Sequence, residues 1–277
     1  MLEKLNLNRS LSREEYKRDM PALQRRLYDL EKACWDHSVA SILLFEGWDA
    51  AGKGGAISTL TQRLDPRGFK LYSIERPRTF EQNRPWLWRF WLKIPNRGEM
   101  VILDHSWYRR VLTDRVESRV PQAEWRAAYQ DINEFERMLA DDGVAFVKFF
   151  FHIARKEQRR RFRKLEKNPL EAWQVTRAAW RQNELYDEYL EASEELLEFT
   201  ESDVAPWTIV EATSRWHARR RVFETVIDAL EKRLGENAPP RVEEAEVSRK
   251  DEELRDALDL LDQMETATES PDEEGRS

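Results

Sequence analysis

Short apolar runs alternate along the chain with longer stretches of helical spacing. Ala40–Phe45, Phe69–Ile74, Met100–Asp104, Val144–Phe151 and Trp207–Glu211 have the length and composition of buried strands. Between them the spacing predicts helices over Gly54–Leu64, Phe80–Leu92, Ala123–Ala140 and Glu184–Thr200, with Arg215–Leu234 after the last run. In the first of these, Ile57, Leu60 and Leu64 share one face. Ahead of the first strand, Leu11–Trp35 reads as a helix opened by Ser12 with Glu15 three residues on, the capping-box pattern. Alternation of strand and helix predicts an α/β fold whose parallel sheet is covered on both faces. Ligands in such sheets bind at the carboxyl ends of the strands. Ala238-Pro239-Pro240 marks a boundary. Beyond it, Val247, Leu254, Leu258 and Leu261 punctuate Glu243–Met264 as an acidic helix or a loosely ordered tail, and the last dozen residues are expected to be disordered.

The turn after the first strand carries the chemistry. Phe45 to Gly55 reads FEGWDAAGKGG, a glycine loop between strand and helix. Gly47, Gly52, Gly54 and Gly55 let the backbone, including Ala50 and Ala51, bend until several N–H groups converge on an anion. The following helix start adds its positive dipole end, and Lys53 a mobile charge for phosphate oxygens. In the usual phosphate loop the lysine is followed by a Ser or Thr whose hydroxyl holds Mg²⁺. Gly54 stands there instead, and Asp49 inside the loop is the natural substitute, because Mg²⁺ accepts a carboxylate together with phosphates and water. Asp104, ending another apolar run, supplies a second carboxylate of the kind that completes such a metal site.

GWDAAGKGG, LDPRGF, PWLWRFW, LDHSWYRRVL, FFFHIARKEQRRRFRKLEKNPLEAWQVT and APWTIVEAT together resemble the polyphosphate kinase 2 family, in order, over roughly Tyr28 to Leu234. The segment KLEKNPL is similar to its polyphosphate:AMP phosphotransferase-like branch. The resemblance implies a P-loop kinase-like three-layer α/β/α sandwich with a helical lid, here about residues 155–180. It implies Mg²⁺ (Mn²⁺ able to stand in), held by Asp49 and Asp104, with Lys53 and Arg110 completing the catalytic set. Arg67, Arg89, His105 and the lid arginines Arg159, Arg160 and Arg163 are the further phosphate contacts, and Trp173 the candidate nucleobase neighbour. His105 is a departure: the family has arginine directly after the metal-site aspartate, and histidine lacks its bidentate fork. The implied reaction moves the terminal phosphate of inorganic polyphosphate onto a nucleotide, AMP to ADP before the ADP, GMP or GDP alternatives. An ATP-dependent small-molecule kinase and a non-catalytic polyphosphate-binding protein are the other readings.

Composition narrows the classes. With 277 residues, 40% of them hydrophobic, the chain can bury one substantial core. The expected division is an N-terminal helical segment (1–37), the phosphotransferase domain (38–235) and an acidic tail (236–277). One cysteine, Cys34, excludes an internal disulfide and suits a cytoplasmic location. No apolar run approaches membrane-spanning length, no signal peptide opens the chain, and the histidines lack zinc-ligand spacing. The net charge of −7 is unevenly spread: Glu236 to Ser277 holds fifteen acids and five bases, leaving +3 on the preceding 235 residues. Lys148 to Lys164 carries eight bases against Glu157 alone. Such a stripe concentrates a polyanion; nucleic acid could use it as well, and the glycine loop tips the choice toward phosphate transfer. No membrane partner is expected, and the resemblance to the family implies a homo-oligomer, with the C-terminal helix as a candidate contact.

Overall fold

Residues 2–241 are described by the computed structural model of the chain; the expectations for Glu243–Met264 and the last dozen residues lie outside them. Each apolar run forms a strand: β1 (Ser41–Gly47), β2 (Phe69–Ser73), β3 (Met100–Asp104), β4 (Ala145–His152) and β5 (Trp207–Glu211). All pairings are parallel and the order is β2-β3-β1-β4-β5. The strand first in sequence is thus central. The chain fills one side of it with β2 and β3, then crosses to the other for β4 and β5. That reversal opens a crevice at the carboxyl end of β1.

The helices are α1 (Arg13–Asp36), α2 (Lys53–Thr61), α3 (Thr79–Gln82), α4 (Trp88–Trp91), α5 (Thr113–Val116), α6 (Gln122–Asp141), α7 (Arg155–Lys167), α8 (Arg177–Glu184), α9 (Tyr186–Thr200) and α10 (Arg215–Leu234). The capping box of α1 is formed: Ser12 Oγ accepts from Glu15 N, and the Glu15 carboxylate accepts from Ser12 N. Along β1 alternate residues face opposite layers. Leu43 and Phe45 pack with Leu27 and Leu30 of α1, Ile57 of α2 and Val226 of α10. Ile42 and Leu44 pack with Ile132 and Phe135 of α6 and Leu196 of α9. Helices therefore cover both faces, in three layers.

Two expectations are corrected. Phe80–Leu92 is not one helix but the short turns α3 and α4, because Pro85 lacks an N–H and disfavours helical backbone at Arg84. Lys148 does not belong to the solvated basic stripe. It is fully buried on β4, its Nζ donating to Glu136 Oε2 (2.8 Å), Tyr108 Oη (3.0 Å) and Thr200 O (2.8 Å). Glu136 also accepts from Trp107 Nε1 and Tyr108 Oη, so this pair ties α6 and β4 to the turn that follows β3.

Candidate active site

At the carboxyl end of β1 the chain enters the glycine loop under close constraint. Gly47 has φ +116°, and a Cβ there would lie 2.2 Å from Phe151 O on β4, so only glycine fits. Gly52, at φ +99°, begins α2, and no side chain caps that helix start. Its first N–H groups are thus left for an anion. Lys53 is nearly buried, with Nζ on Gly47 O (3.1 Å) and Trp48 O (2.9 Å), and 3.9 Å from Asp49 Oδ1. To grip a phosphate it must exchange loop carbonyls for phosphate oxygens.

Trp48 anchors the loop from beneath. Its buried ring stacks on Tyr186 with centroids 4.0 Å apart, and its Nε1 donates to His152 Nδ1 at 2.8 Å. Burial lowers the His152 pKa to about 4, which keeps that nitrogen an acceptor at neutral pH.

Asp104 lies opposite Phe45 in the β1–β3 register, next to the loop. Its Oδ1 is buried without a hydrogen-bond partner. An orphaned carboxylate oxygen is costly unless something else satisfies it, and a divalent cation does so. Among the described residues no cluster of three metal-ligating side chains exists. The donor set suits Mg²⁺, which takes one or two carboxylates and fills its shell with phosphate oxygens and water, rather than a metal held in a protein cage.

His105 follows in a left-handed conformation, φ +60°. Its Nδ1 donates to Glu46 Oε2 (3.1 Å), and its Nε2 sits 4.0 Å from Asp49 Oδ1. Glu46 is buried inside β1 and also accepts from Ser106 Oγ at 2.7 Å. Burial would push its carboxyl up, but the hydrogen bond and charge of His105, with Ser106 and Lys53, hold it below the ordinary range. An ionised Glu46 accepts only, which fixes the proton of that contact on Nδ1 and aims Nε2 towards Asp49.

Beside this strand end opens a cavity of about 700 Å³ lined by Arg76, Arg84, Arg89, Arg109, Arg110 and Arg119, with Glu75, Glu81, Asp114 and Glu124 among its acids. Arg110 reaches Glu124, while its Nε is buried and unpartnered. Arg89 donates to Glu75 O at 3.0 Å; its buried Nε is likewise without a hydrogen-bond partner, 3.6 Å from Glu81, and burial lowers its pKa. Anion-binding groups with donors to spare converge here.

The polyphosphate kinase 2 family matches residues 10–238. The chain belongs to this family. It is 40% identical over 233 residues to a polyphosphate:AMP phosphotransferase of Pseudomonas aeruginosa, covering 83% of this chain and 47% of that protein. It thus spans about half the length of that relative. An AMP/ADP-polyphosphate phosphotransferase of Meiothermus ruber is 35% identical over 76% of this chain and 80% of its own length. The crystal structure of polyphosphate kinase 2 from Arthrobacter aurescens TC1 superposes with a TM-score of 0.82 at 27% identity, over 94% of this chain and 93% of that one.

Within this polyphosphate kinase 2 fold, the loop residues, Asp49, Lys53, Asp104, His105, Arg89 and Arg110 gather at the carboxyl ends of β1 and β3. Arg67 does not join them. It precedes β2, at the amino edge of the sheet, and is clamped on Asp65 (Nη2–Oδ2 2.6 Å). Trp173 stands 76% exposed with its indole N–H turned back to Leu170 O at 2.9 Å. Arg159 and Arg163 are exposed on α7, and Arg160 pairs with Glu157 at 2.8 Å. Arg161, passed over as one more base in a run, reaches inward to Ala50 O, Ala212 O and Thr213 O. Glu46, Ser106, Arg76, Arg84 and Arg119 were also missed. Only Glu46 left a signal, a lone acid inside an apolar strand.

Proposed function

We propose that this chain is a Mg²⁺-dependent polyphosphate:nucleotide phosphotransferase, with AMP as the preferred acceptor and ADP as product. The observation that carries the reading is the arginine-lined cavity whose wall includes Ser106 and Trp107, just past Asp104, on the strand that pairs with β1 ahead of the glycine loop. A catalyst handling two polyanions needs cations on both sides of the transfer point. The identity to a protein named polyphosphate:AMP phosphotransferase supports the choice of acceptor. Relatives named ADP- and GDP-polyphosphate phosphotransferases, at 33% and 31% identity, mark the runner-up acceptors.

In this reading the N–H groups at the start of α2 and the Lys53 ammonium hold phosphates at the transfer point. Asp49 and Asp104 would hold Mg²⁺, which would supply neutralisation of phosphate charge when bound. Arg89 and Arg110 line the approach of the second phosphate-bearing substrate. An oxygen of the AMP phosphate attacks the terminal phosphorus of polyphosphate, the bridging P–O bond breaks, and the electron pair leaves on a polymer shortened by one phosphate. That oxygen is already anionic, so no dedicated base and no covalent enzyme intermediate are needed. Residues 155–180, with exposed Arg159 and Arg163, act as the lid that excludes water on closure. Rate enhancement is then positioning and electrostatics.

The test supplies purified protein with Mg²⁺, long-chain polyphosphate and AMP, ADP, GMP or GDP singly, and follows nucleotides chromatographically. ADP formed from AMP is the expected result. ATP formed from ADP alone moves the assignment to diphosphate acceptors. Phosphorylation by ATP with none by polyphosphate sinks the proposal.

A further inference from the structure

Side chains from the segment after β4 converge on one stretch of the glycine loop. Asp49 N–H donates to Gln182 Oε1 at 2.8 Å, and Asp49 O accepts from Gln158 Nε2 at 3.2 Å. The two amides are joined to each other, Gln158 Nε2 donating to Gln182 Oε1 at 2.7 Å. Asn183 Nδ2 holds the far side of Gln158, donating to its Oε1 at 2.9 Å. One residue on, Ala50 O accepts from Arg161 at 2.9 Å.

These amides lie inside the protein: Gln158, Gln182 and Asn183 are 0%, 9% and 6% exposed. Packing alone does not call for them, since leucine or methionine would fill the same volume without the cost of desolvating an amide. Apart from a bond from Asn183 Nδ2 to Arg155 O at 3.1 Å, their hydrogen bonds go to the loop and to one another. Because Gln182 holds the peptide before Asp49 and Gln158 the peptide after it, both backbone torsions of Asp49 are fixed from outside. The direction of its Cα–Cβ bond follows. The need is local, because Ala50 adopts φ +56°, a left-handed conformation unfavourable for a non-glycine residue. The loop's own lysine holds the other side of the peptide before Asp49, through Trp48 O, but makes no bond to Asp49 O, which Gln158 reaches.

We propose that Gln182, backed by Gln158 and Asn183, is a positioning residue: it sets the aim of the Asp49 carboxylate and couples the shape of the glycine loop to α7 and α8. The proposal rests on Asp49 acting at the transfer site, as under Proposed function. Movement of α8 then changes the loop directly, so lid and loop change state together.

The test compares wild type with Gln182→Leu, which keeps the volume and removes the acceptor, and Gln182→Glu, which keeps an acceptor oxygen. Amide hydrogen exchange at Asp49 reads the clamp without any catalysis. In Gln182→Leu it is expected to accelerate at least ~10-fold, while the amides of β1 stay protected; Gln182→Glu retains the Asp49 protection. Turnover by Gln182→Leu is expected to fall about 10- to 100-fold, with a similar rise in the Mg²⁺ concentration for half-maximal rate and KM for AMP little changed. Unchanged Asp49 exchange and an unchanged Mg²⁺ requirement in folded Gln182→Leu overturn the proposal. So does a uniform loss of activity tracking a lower melting temperature. Should the wild type itself turn over no polyphosphate, the functional reading fails, and the Asp49 exchange alone decides the clamp.

Discussion

Asp104 and Glu31 are both acids with an unpartnered buried oxygen, yet they call for opposite treatment. Asp104 Oδ1 is buried at the strand end with no hydrogen-bond partner, so exchanging the carboxylate for an amide removes charge from the site without breaking a hydrogen bond of that oxygen. Asp104→Asn is expected to fold with a melting temperature near that of the wild type and to lose at least ~100-fold in turnover. Thermal unfolding and the polyphosphate–AMP assay check both halves. Glu31 sits instead on α1, at the other end of the sheet, with Oε2 accepting from Asp65 N at 2.8 Å and Oε1 unpartnered. Burial raises its pKa to about 7, from 4.5. A carboxyl raised on folding is penalised in its charged form, so its burial is harmless below pH 4.5, the ordinary value. Stability is then lost as pH rises to about 7 and stays lost above it. Glu31→Gln is expected to unfold like the wild type at pH 5 and to be more stable at pH 8, on the order of 2 kcal/mol. Urea titrations at the two pH values measure the difference, and equal gains at both would contradict it.

Among the elements, the pair Lys148–Glu136 welds β4 to α6 and to the turn carrying Trp107 and Tyr108. Burial lowers the pKa of the lysine and raises that of the glutamate, and each charge survives because the other is present. Lys148→Met alone strands the carboxylate and is expected to cost about 3–5 kcal/mol. Adding Glu136→Leu removes the stranded charge and should restore a substantial part of that loss, as equilibrium unfolding would show. This pair also illustrates what the sequence could carry. An apolar run interrupted by one lysine identified β4 correctly, because strand burial is a local pattern. Where that lysine pointed, and that it left the basic stripe, depended on Glu136 from a distant helix. The same divide runs through the site. The glycine loop, Asp49, Lys53 and Asp104 are contiguous motifs and could be read directly. Gln182 and Gln158 lie 133 and 109 positions along the chain from Asp49 and meet it only in the folded protein, so no spacing announces them. Arg67 misled for the converse reason, since a motif fixes neighbours in sequence but not which end of the sheet they occupy. Pro85 was a local signal against a continuous Phe80–Leu92 helix.

For the whole molecule, the uneven charge sets how a polyanion is met. The chain up to Arg241 carries +3, whereas residues 242–277 carry −10, so the full chain at −7 repels a polyanion although the arginines of the cavity attract one. Both fields act over a Debye length of about 8 Å at physiological ionic strength. Ending the chain at Arg241 is expected to lower KM for polyphosphate about 3- to 10-fold at low salt. Above ~0.5 M salt the difference should vanish, because screening removes long-range repulsion before it removes direct phosphate contacts. AMP, with far fewer charges, should show a smaller change in KM, and kcat should hold, since no residue of the strand-end site is touched. Initial rates at several salt concentrations, with both chains shown equally folded by circular dichroism, give the comparison. Equal KM for polyphosphate at low salt would mean that the acidic residues lie beyond reach of the approach path. A lower KM that persists at high salt would mean that they obstruct it by contact rather than by field.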